Sequence, residues 1–140
     1  MLIGLYRHSI DAKKRMRMPS KFKTVLGADF VITKGTKKNL FVFSNTQFSM
    51  LYEKMIDLPL FDEEAQDPIR KFLSSAYEAE EDTQGRFLLP KELVSFASIT
   101  KNIVFVGVGN RVEIWAEELW EEEQNNSENA DFSILAKFGV

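Results

Sequence analysis

The sequence predicts an α+β, mostly β fold built from two copies of one unit, and two observations carry this prediction. The segments Asp11–Pro19 and Asp82–Pro90 share the pattern Asp-x-x-x-Arg-x-x-x-Pro, 71 residues apart. Runs rich in Val, Ile and Phe follow each motif and are bounded by Gly or Asn, as hairpin strands usually are. We therefore predict a first repeat, residues 1–65, and a second repeat, residues 66–140 including a C-terminal tail, in one compact domain.

The first repeat is expected to contain two strands, a helical turn, a hairpin and a closing helix. These elements are Leu2–Ile10, Arg15–Met18, Ser20–Leu26, the paired strands Phe30–Thr33 and Leu40–Phe43, and a helix that begins after Ser44. The second strand stops at Pro19 because proline has no N–H to donate to a ladder. Ser44 and Gln47 have the spacing of a capping box, which predicts the start of the closing helix.

The second repeat is expected to follow the same order after its motif. Its elements are Arg86–Leu89, ending at Pro90, then Lys91–Ala97, the paired strands Ile103–Val106 and Arg111–Trp115, and a helix over Ala116–Glu123. Gly85 suits the motif's tight turn because glycine adopts positive φ freely. Between the repeats, Asp67 and Pro68 are typical of a helix start and predict a helix over Ile69–Glu80. The tail, residues 124–140, is expected to dock on a neighbouring surface or to stay mobile.

The composition excludes several classes of protein. With 44% hydrophobic and 28% charged residues, the chain is typical of folded soluble proteins and not of disordered ones. No apolar run approaches the roughly 18 residues of a membrane span, and no signal peptide is recognisable, so we expect no membrane partner. Cysteine is absent and His8 is the one histidine. Because catalysis needs a positioned nucleophile, a metal or paired carboxylates, we predict no metal, no cofactor and no enzymatic activity.

The charge is divided unevenly along the chain. Residues 1–43 carry ten Lys or Arg and two Asp, a net charge of +8, and the rest carries −11, which gives −3 overall. Association with a polyanion depends on the field within about 10 Å, so a locally basic surface can bind nucleic acid in an acidic protein. The alternative is that the basic segment faces the acidic part of the same chain or of a neighbour.

The paired motifs, the segment Gly107-Val-Gly-Asn-Arg-Val-Glu-Ile-Trp115 and the following Trp120 resemble the MraZ family over residues 5–120. The resemblance implies an AbrB-like swapped-hairpin barrel with short flanking helices. It also implies a bacterial transcriptional regulator of the division and cell-wall gene cluster. Such a protein would be a homo-oligomeric ring that binds double-stranded DNA at promoter direct repeats, in the cytoplasm and associated with the nucleoid.

The predicted DNA-binding residues centre on the basic run of the first motif; they are Lys13, Lys14, Arg15, Arg17, Arg7 and Arg86. Arginine pairs bidentately with guanine, while lysine mainly contacts phosphate. The resemblance ties Arg15 to DNA binding, and Lys13 matches the family as well; the others follow from charge and position. For Arg86 a structural ion pair is the alternative. Lys14 stands where the family usually has glycine, which predicts a strained left-handed turn residue.

The remaining motif residues are predicted to be structural; they are Asp11, Asp82, Gly85, Pro19 and Pro90. Asp11 would be repelled by phosphate, so we expect it to hold Arg15 or to accept backbone N–H groups in the turn. The favoured function is sequence-specific DNA binding. The alternative is a ring-forming protein-interaction module whose basic face meets an acidic partner. Only the DNA binder should lose affinity steeply with salt on defined DNA.

Overall fold

A computed structural model describes residues 1–126 and 132–140; the part of the predicted tail at residues 127–131 lies outside the described residues. The first part of the chain contains β1 (Ile3–Ser9), β2 (Arg15–Arg17), α1 (Ser20–Leu26), β3 (Asp29–Lys34), β4 (Leu40–Ser44) and α2 (Asn45–Ile56). After α3 (Glu63–Ser74), the same order returns in β5 (Tyr77–Glu80), β6 (Arg86–Leu88), α4 (Lys91–Phe96), β7 (Asn102–Val108), β8 (Val112–Ala116) and α5 (Glu117–Asn126). A 3₁₀ segment, Phe132–Phe138, follows. The boundary drawn at residues 65 and 66 falls inside α3, and the division into repeats stays a prediction.

The strands form two antiparallel sheets. The larger has the order β1-β7-β8-β4-β3-β5, and the smaller pairs β2 with β6. The opening strand of each part pairs with the hairpin of the other, since β1 pairs with β7 and β5 pairs with β3. The α+β class is confirmed, but the larger sheet is open at β1 and β5 and does not close into a barrel. Helices cover at least as much of the described chain as strands do, so the expectation of a mostly β protein is wrong.

The core lies between the larger sheet and the short elements that follow each motif. Its fully buried side chains come from both parts of the chain; the largest are Phe22, Phe30, Ile32, Leu40, Phe87, Leu93, Ile103, Phe105 and Ile114. Met16 of β2 and Phe87 of β6 are cross-strand partners and both point into this core. The Phe87 ring packs edge-on against Phe30, with centroids 5.0 Å apart. The small β2–β6 sheet is therefore fixed to the larger one by its inner face.

The helix predicted over Ile69–Glu80 is wrong in both bounds. Helix α3 begins earlier, because the Asp62 side chain caps it by accepting from the Glu64 backbone N–H at 3.0 Å, and Pro68 lies inside the helix. Residues 77–80 form β5, in which Ala79 pairs with Phe30 and is buried. Pairing with β5 satisfies the backbone N–H and C=O groups on the outer edge of β3. These groups would lack strand partners if residues 77–80 continued the helix.

Glycine is required at position 107, where β7 pairs with β1. It pairs with Gly4, and a Cβ on Gly107 would lie 2.5 Å from backbone atoms of Leu2 and Ile3. Such a contact is too short for any side chain, so this glycine serves strand pairing. Within the described ranges, no helix is long and apolar enough to cross a membrane.

Candidate nucleic-acid interface

The first motif folds into a turn that is organised by one carboxylate. Asp11 Oδ1 accepts the backbone N–H groups of Lys13 and Arg15 at 2.9 and 2.8 Å. Asp11 Oδ2 accepts from Arg15 Nε at 2.9 Å. Asp11 thus caps the turn and holds the arginine side chain at the same time. Because only Nε is engaged among residues 1–126 and 132–140, both Nη groups of Arg15 are available to a ligand there.

The second motif repeats this arrangement contact by contact. Asp82 Oδ1 accepts the backbone N–H groups of Gln84 and Arg86, each at 2.9 Å, and Oδ2 accepts from Arg86 Nε at 3.0 Å. The ion-pair alternative for Arg86 is therefore present in the structure. It does not occupy the Nη groups of Arg86, so the contact with Asp82 and a contact with a ligand are compatible.

The two carboxylates are stabilised in their charged form. The hydrogen bond from the Arg15 backbone N–H, reinforced by the Arg15 guanidinium, holds the pKa of Asp11 below its usual range although partial desolvation opposes the change. The pKa of Asp82 is lowered in the same way, and the hydrogen bond from the Arg86 backbone N–H is the largest cause. Both carboxylates are therefore charged at neutral pH and can act as hydrogen-bond acceptors in their turns.

Lys14 and Gly85 occupy the same left-handed position in the two turns. Their φ angles are 63° and 76°, and each backbone N–H donates to the carbonyl of the motif aspartate at 3.0 Å. The left-handed conformation expected at Lys14 is thus present. The Lys14 carbonyl accepts from the Leu89 N–H at 2.8 Å, which ties the turn to the second motif. The side chains of Lys13 and Lys14 are both exposed at the tip.

Strands β2 and β6 bring the arginines of both motifs to one outer face. Since Met16 and Phe87 point inward, the residues on either side of them point outward. Arg17 lies directly opposite Arg86, and Arg15 lies opposite Leu88. We call Lys13, Lys14, Arg15, Arg17 and Arg86 the basic face. Three of the six predicted DNA-binding residues therefore share one outer face, and two more, Lys13 and Lys14, lie at the tip of the turn that leads into it.

Arg7 is the predicted residue that the structure places elsewhere. Its Nη2 lies 2.9 Å from Glu121 and its Nη1 lies 2.7 Å from Glu117, both on helix α5. The hydrogen bonds that the guanidinium donates, first to Glu121 and then to Glu117, raise its pKa. Arg7 and His8 are consecutive residues of β1, so their side chains point to opposite sides of the strand, and His8 lines a depression together with Arg15, Arg17 and Arg86. Arg7 joins β1 to α5.

Two residues near the motifs escaped the sequence-based prediction. His8 lines a shallow depression of the basic face together with Arg15, Arg17 and Arg86. Glu81 is 6% exposed, with Lys23 Nζ 2.9 Å from its Oε2, yet neither carboxylate oxygen accepts a properly oriented hydrogen bond. The 71-residue offset could have found Glu81, because it places this glutamate on the buried Ile10 of the first motif.

No group of three His, Asp or Glu side chains that could hold a metal ion occurs in residues 1–126 and 132–140. The acidic side of α5 instead contacts basic side chains of the first part of the chain. Besides the contacts with Arg7, Glu123 accepts from Lys37 at 2.7 Å. The predicted internal compensation of charge therefore operates at α5, away from the basic face.

Comparison of the sequence with known proteins places the chain in a family. The model of the family described as "MraZ protein, putative antitoxin-like" matches residues 1–70 and 72–137. A relative from Thermoanaerobacter sp. (strain X514) is 46% identical over 128 residues, which cover 91% of this chain and 90% of the relative. Relatives from Caldanaerobacter subterraneus subsp. tengcongensis and Clostridium tetani are 44% and 42% identical over 137 residues, covering 98% of this chain and 95% of each relative.

All three relatives bear the name transcriptional regulator MraZ. That name denotes a regulator and not an enzyme, in agreement with the prediction made for this chain. The family model covers nearly the whole chain, and the relatives match it over more than nine-tenths of its length. The chain therefore belongs to the MraZ family.

Proposed function

We propose that this chain is a bacterial transcriptional regulator that binds double-stranded DNA through the basic face. One observation carries the proposal: the β2–β6 pair places Arg15, Arg17 and Arg86 on one outer surface, and two lysines are exposed at the tip of the turn that leads into it. The rest of the chain is acidic, so this surface is where a polyanion would be attracted. A local field of this kind raises the rate and the affinity of association with DNA.

The geometry suggests different roles in DNA binding for the residues of the basic face. Arg15 is oriented by Asp11 through Nε, and its two Nη groups could reach guanine O6 and N7 in a major groove. Lys13 and Lys14 are exposed at the tip of the turn, where flexible ammonium groups suit phosphate contacts. We assign base reading to Arg15 and backbone positioning to the lysines.

The finer features of the proposal follow the family resemblance. We propose an AbrB-like swapped-hairpin arrangement, in support of which β1 and β5 are exchanged between the two parts of the chain. We also propose a homo-oligomeric ring that binds direct repeats in the promoter of the division and cell-wall gene cluster, in the cytoplasm and at the nucleoid. In such a ring, several basic faces would engage successive repeats, and avidity would multiply their individual affinities.

The direct test is fluorescence anisotropy with the duplex found upstream of the chain's own gene and a scrambled duplex of equal length. We expect tighter binding to the upstream duplex, with log affinity falling against log salt by about 0.9 per phosphate contact. Equal and weak binding to both duplexes would contradict the proposal and favour a protein-interaction module. Sedimentation of the same samples tests the ring separately. A monomer that still prefers the upstream duplex would contradict the proposed ring and leave the proposed DNA binding intact.

A further inference from the structure

We propose that the segment Phe132–Phe138 of one chain docks into an apolar groove on a second copy of this chain, formed by α2, α3, β3 and β5. We call this segment the docking segment. The inference rests on the proposed oligomer and deepens it, because it names a contact that joins two copies. It involves no residue of the basic face, so it can fail without the proposed DNA binding failing with it.

The docking segment presents an apolar ridge to solvent. All residues from 132 to 140 are exposed, with Phe132 and Phe138 at 73% and 77%. Residues three apart lie on the same face of a 3₁₀ helix, so Phe132, Leu135 and Phe138 form one ridge about 12 Å long. Single apolar side chains on a surface need no explanation, but a continuous ridge marks a surface that binds a partner.

The groove has the apolar walls that such a ridge needs. It consists of two adjoining depressions of about 330 and 340 Å³, which share Val31, Phe48 and Glu78. Its apolar walls are formed by Val31, Phe48, Tyr52, Leu73, Ala76 and Tyr77. A short helical segment with one apolar face is commonly bound in a groove of this kind.

Charge favours the docking segment as the occupant. Three carboxylates border the groove, those of Asp29, Glu78 and Glu80, and none of them takes part in an ion pair among residues 1–126 and 132–140. Lys137 is the one charged residue of the docking segment and has no ion pair within the same ranges. Complementary charges across an interface fix its orientation. The Lys137 end should therefore lie against Asp29 and Glu80, because the other depression has only one carboxylate at its border.

A second exposed apolar stretch, in the connection between α2 and α3, fits the groove less well. Its Leu60 and Phe61 are 71% and 95% exposed. Asp57 and Asp62 flank them in the sequence, and an acidic groove would repel these two carboxylates. We therefore expect Phe61→Ser to leave the association of copies unchanged.

The position of the groove favours a second copy over the same chain. Helix α5, which leads to the docking segment, ends near the tip of the β3–β4 hairpin, where Glu123 accepts from Lys37 at 2.7 Å. The groove lies at the base of this hairpin, where Asp29 begins β3 and Asn45 begins α2. The six residues of β3 separate the two ends by about 17 Å. The docking segment therefore leaves the molecule from the side away from its own groove.

Charge reversal tests the contact by sedimentation velocity over a series of concentrations. Lys137→Glu and Glu78→Lys should each weaken self-association by about 3- to 10-fold, and the double variant should recover most of the loss. Lys101→Glu makes the same charge change at another exposed lysine and should have no effect. If both single variants associate like the unmodified chain, or if the double variant is weaker than either of them, the inference is overturned.

Cross-linking tests which copy supplies the docking segment, and the absence of cysteine from the chain makes the experiment specific. Copies with Ala136→Cys are mixed with copies with Ser49→Cys, which lies in the wall of the groove, and a short bismaleimide is added. We expect a cross-linked pair with one chain of each kind, and none when Lys101→Cys replaces Ala136→Cys. If a double variant, Ser49→Cys with Ala136→Cys, cross-links only within single chains, the docking is internal and the second copy is wrong.

The outcomes also separate this inference from the proposed function. An oligomer that resists Lys137→Glu but dissociates with Phe61→Ser would overturn the docking segment and leave the proposed ring. A chain that is monomeric at every concentration would contradict both the ring and the inference. A Lys137→Glu variant that dissociates but still prefers the upstream duplex would support the inference and leave the proposed DNA binding intact.

Discussion

Asp11 and Arg15 are joined by two hydrogen bonds of different kinds, one from the backbone N–H at 2.8 Å and one from the side-chain Nε at 2.9 Å. The first fixes the path of the turn, and the second fixes the direction of the guanidinium. A base-reading arginine that is already oriented loses less entropy when it binds. The same carboxylate therefore couples the shape of the loop to the chemistry that the loop presents.

Replacing Arg15 by alanine should abolish the preference for the upstream duplex. A bidentate arginine–guanine contact supplies about 1–3 kcal/mol of discrimination, so most of the difference between upstream and scrambled duplexes should disappear. The oligomeric state should not change, because Arg15 lies on the outer face of the β2–β6 pair. Anisotropy and sedimentation check the two expectations, with Arg70→Ala as the control. If Arg15→Ala leaves the affinity for the upstream duplex unchanged, Arg15 does not read a base.

The motif carboxylates should make stability depend on acidic pH. Folding holds the pKa of Asp11 and Asp82 below the usual aspartate value of 3.8. The charged carboxylates therefore stabilise the fold fully above that value, and this contribution is lost as the pH falls through the lowered pKa. The double variant Asp11→Asn, Asp82→Asn should be less stable than the unmodified chain at pH 7, and the difference should shrink below pH about 3.8.

Urea unfolding monitored by tryptophan fluorescence measures this difference at each pH. Asp57→Asn is the matched control, because it removes a carboxylate at the end of α2 that makes no hydrogen bond within the described part of the chain. A stability difference that stays constant from neutral to acidic pH would show that the carboxylates act through shape and not through charge.

Lys14 combines a strained backbone with an exposed charge, and glycine separates the two. A left-handed non-glycine residue costs about 1–2 kcal/mol, which the greater chain entropy of glycine partly offsets. We therefore expect Lys14→Gly to raise the Tm slightly while weakening binding to upstream and scrambled DNA by the same factor. Lys38→Gly is the control, since Lys38 has a φ of 56° on another turn. It should raise the Tm and leave DNA affinity unchanged.

A changed base preference in Lys14→Gly would contradict a pure phosphate contact. In that case the residue at this position would set the path of the turn and thereby the register of Arg15 on the DNA. Thermal unfolding and anisotropy on both duplexes therefore decide between a charge effect and a conformational one.

Local signals in the sequence were sufficient for most elements of this fold. Helix α1 begins and ends at the predicted residues, and Ser44 accepts from the Gln47 N–H at 3.1 Å as the capping pattern requires. The prediction failed where a long-range pairing decided the outcome. The apolar spacing of the predicted helix runs to Tyr77, but residues 77–80 pair with β3, which lies far away in the chain. Only the repeat itself contained that information, because β5 occupies the place of β1.

The membership of the basic face was likewise only partly predictable. The motif spacing identified Arg15 and Arg86 but could not show that Arg17 and Arg86 become cross-strand partners. Charge counting grouped Arg7 with the other basic residues, although its guanidinium pairs with two glutamates of α5 more than 100 positions further along the chain. Composition measures how much charge a segment has, whereas pairing across the fold determines which charges are left for a partner.

Glu81 is a buried carboxylate in a position where the first motif has a core isoleucine, and this predicts a stabilising substitution. Its side chain is 6% exposed and lacks an oriented hydrogen bond, although Lys23 lies 2.9 Å away. Replacing a buried ion pair by an apolar side chain is often neutral or stabilising by about 1–4 kcal/mol. Glu81→Ile should therefore raise the free energy of unfolding, because Lys23 is 46% exposed and can be solvated alone.

Removing the other member of the ion pair supplies the control for Glu81. Lys23→Ala leaves the buried carboxylate without its cation and should lower the free energy of unfolding, by less than the loss of a fully buried pair because Lys23 is itself half exposed. Both variants are compared by urea unfolding at neutral pH. If Glu81→Ile destabilises as much as Lys23→Ala, the pair contributes net stability and the second motif depends on it. That outcome would make Glu81 a structural requirement of the turn that presents Arg86, and not a tolerated departure from the first motif.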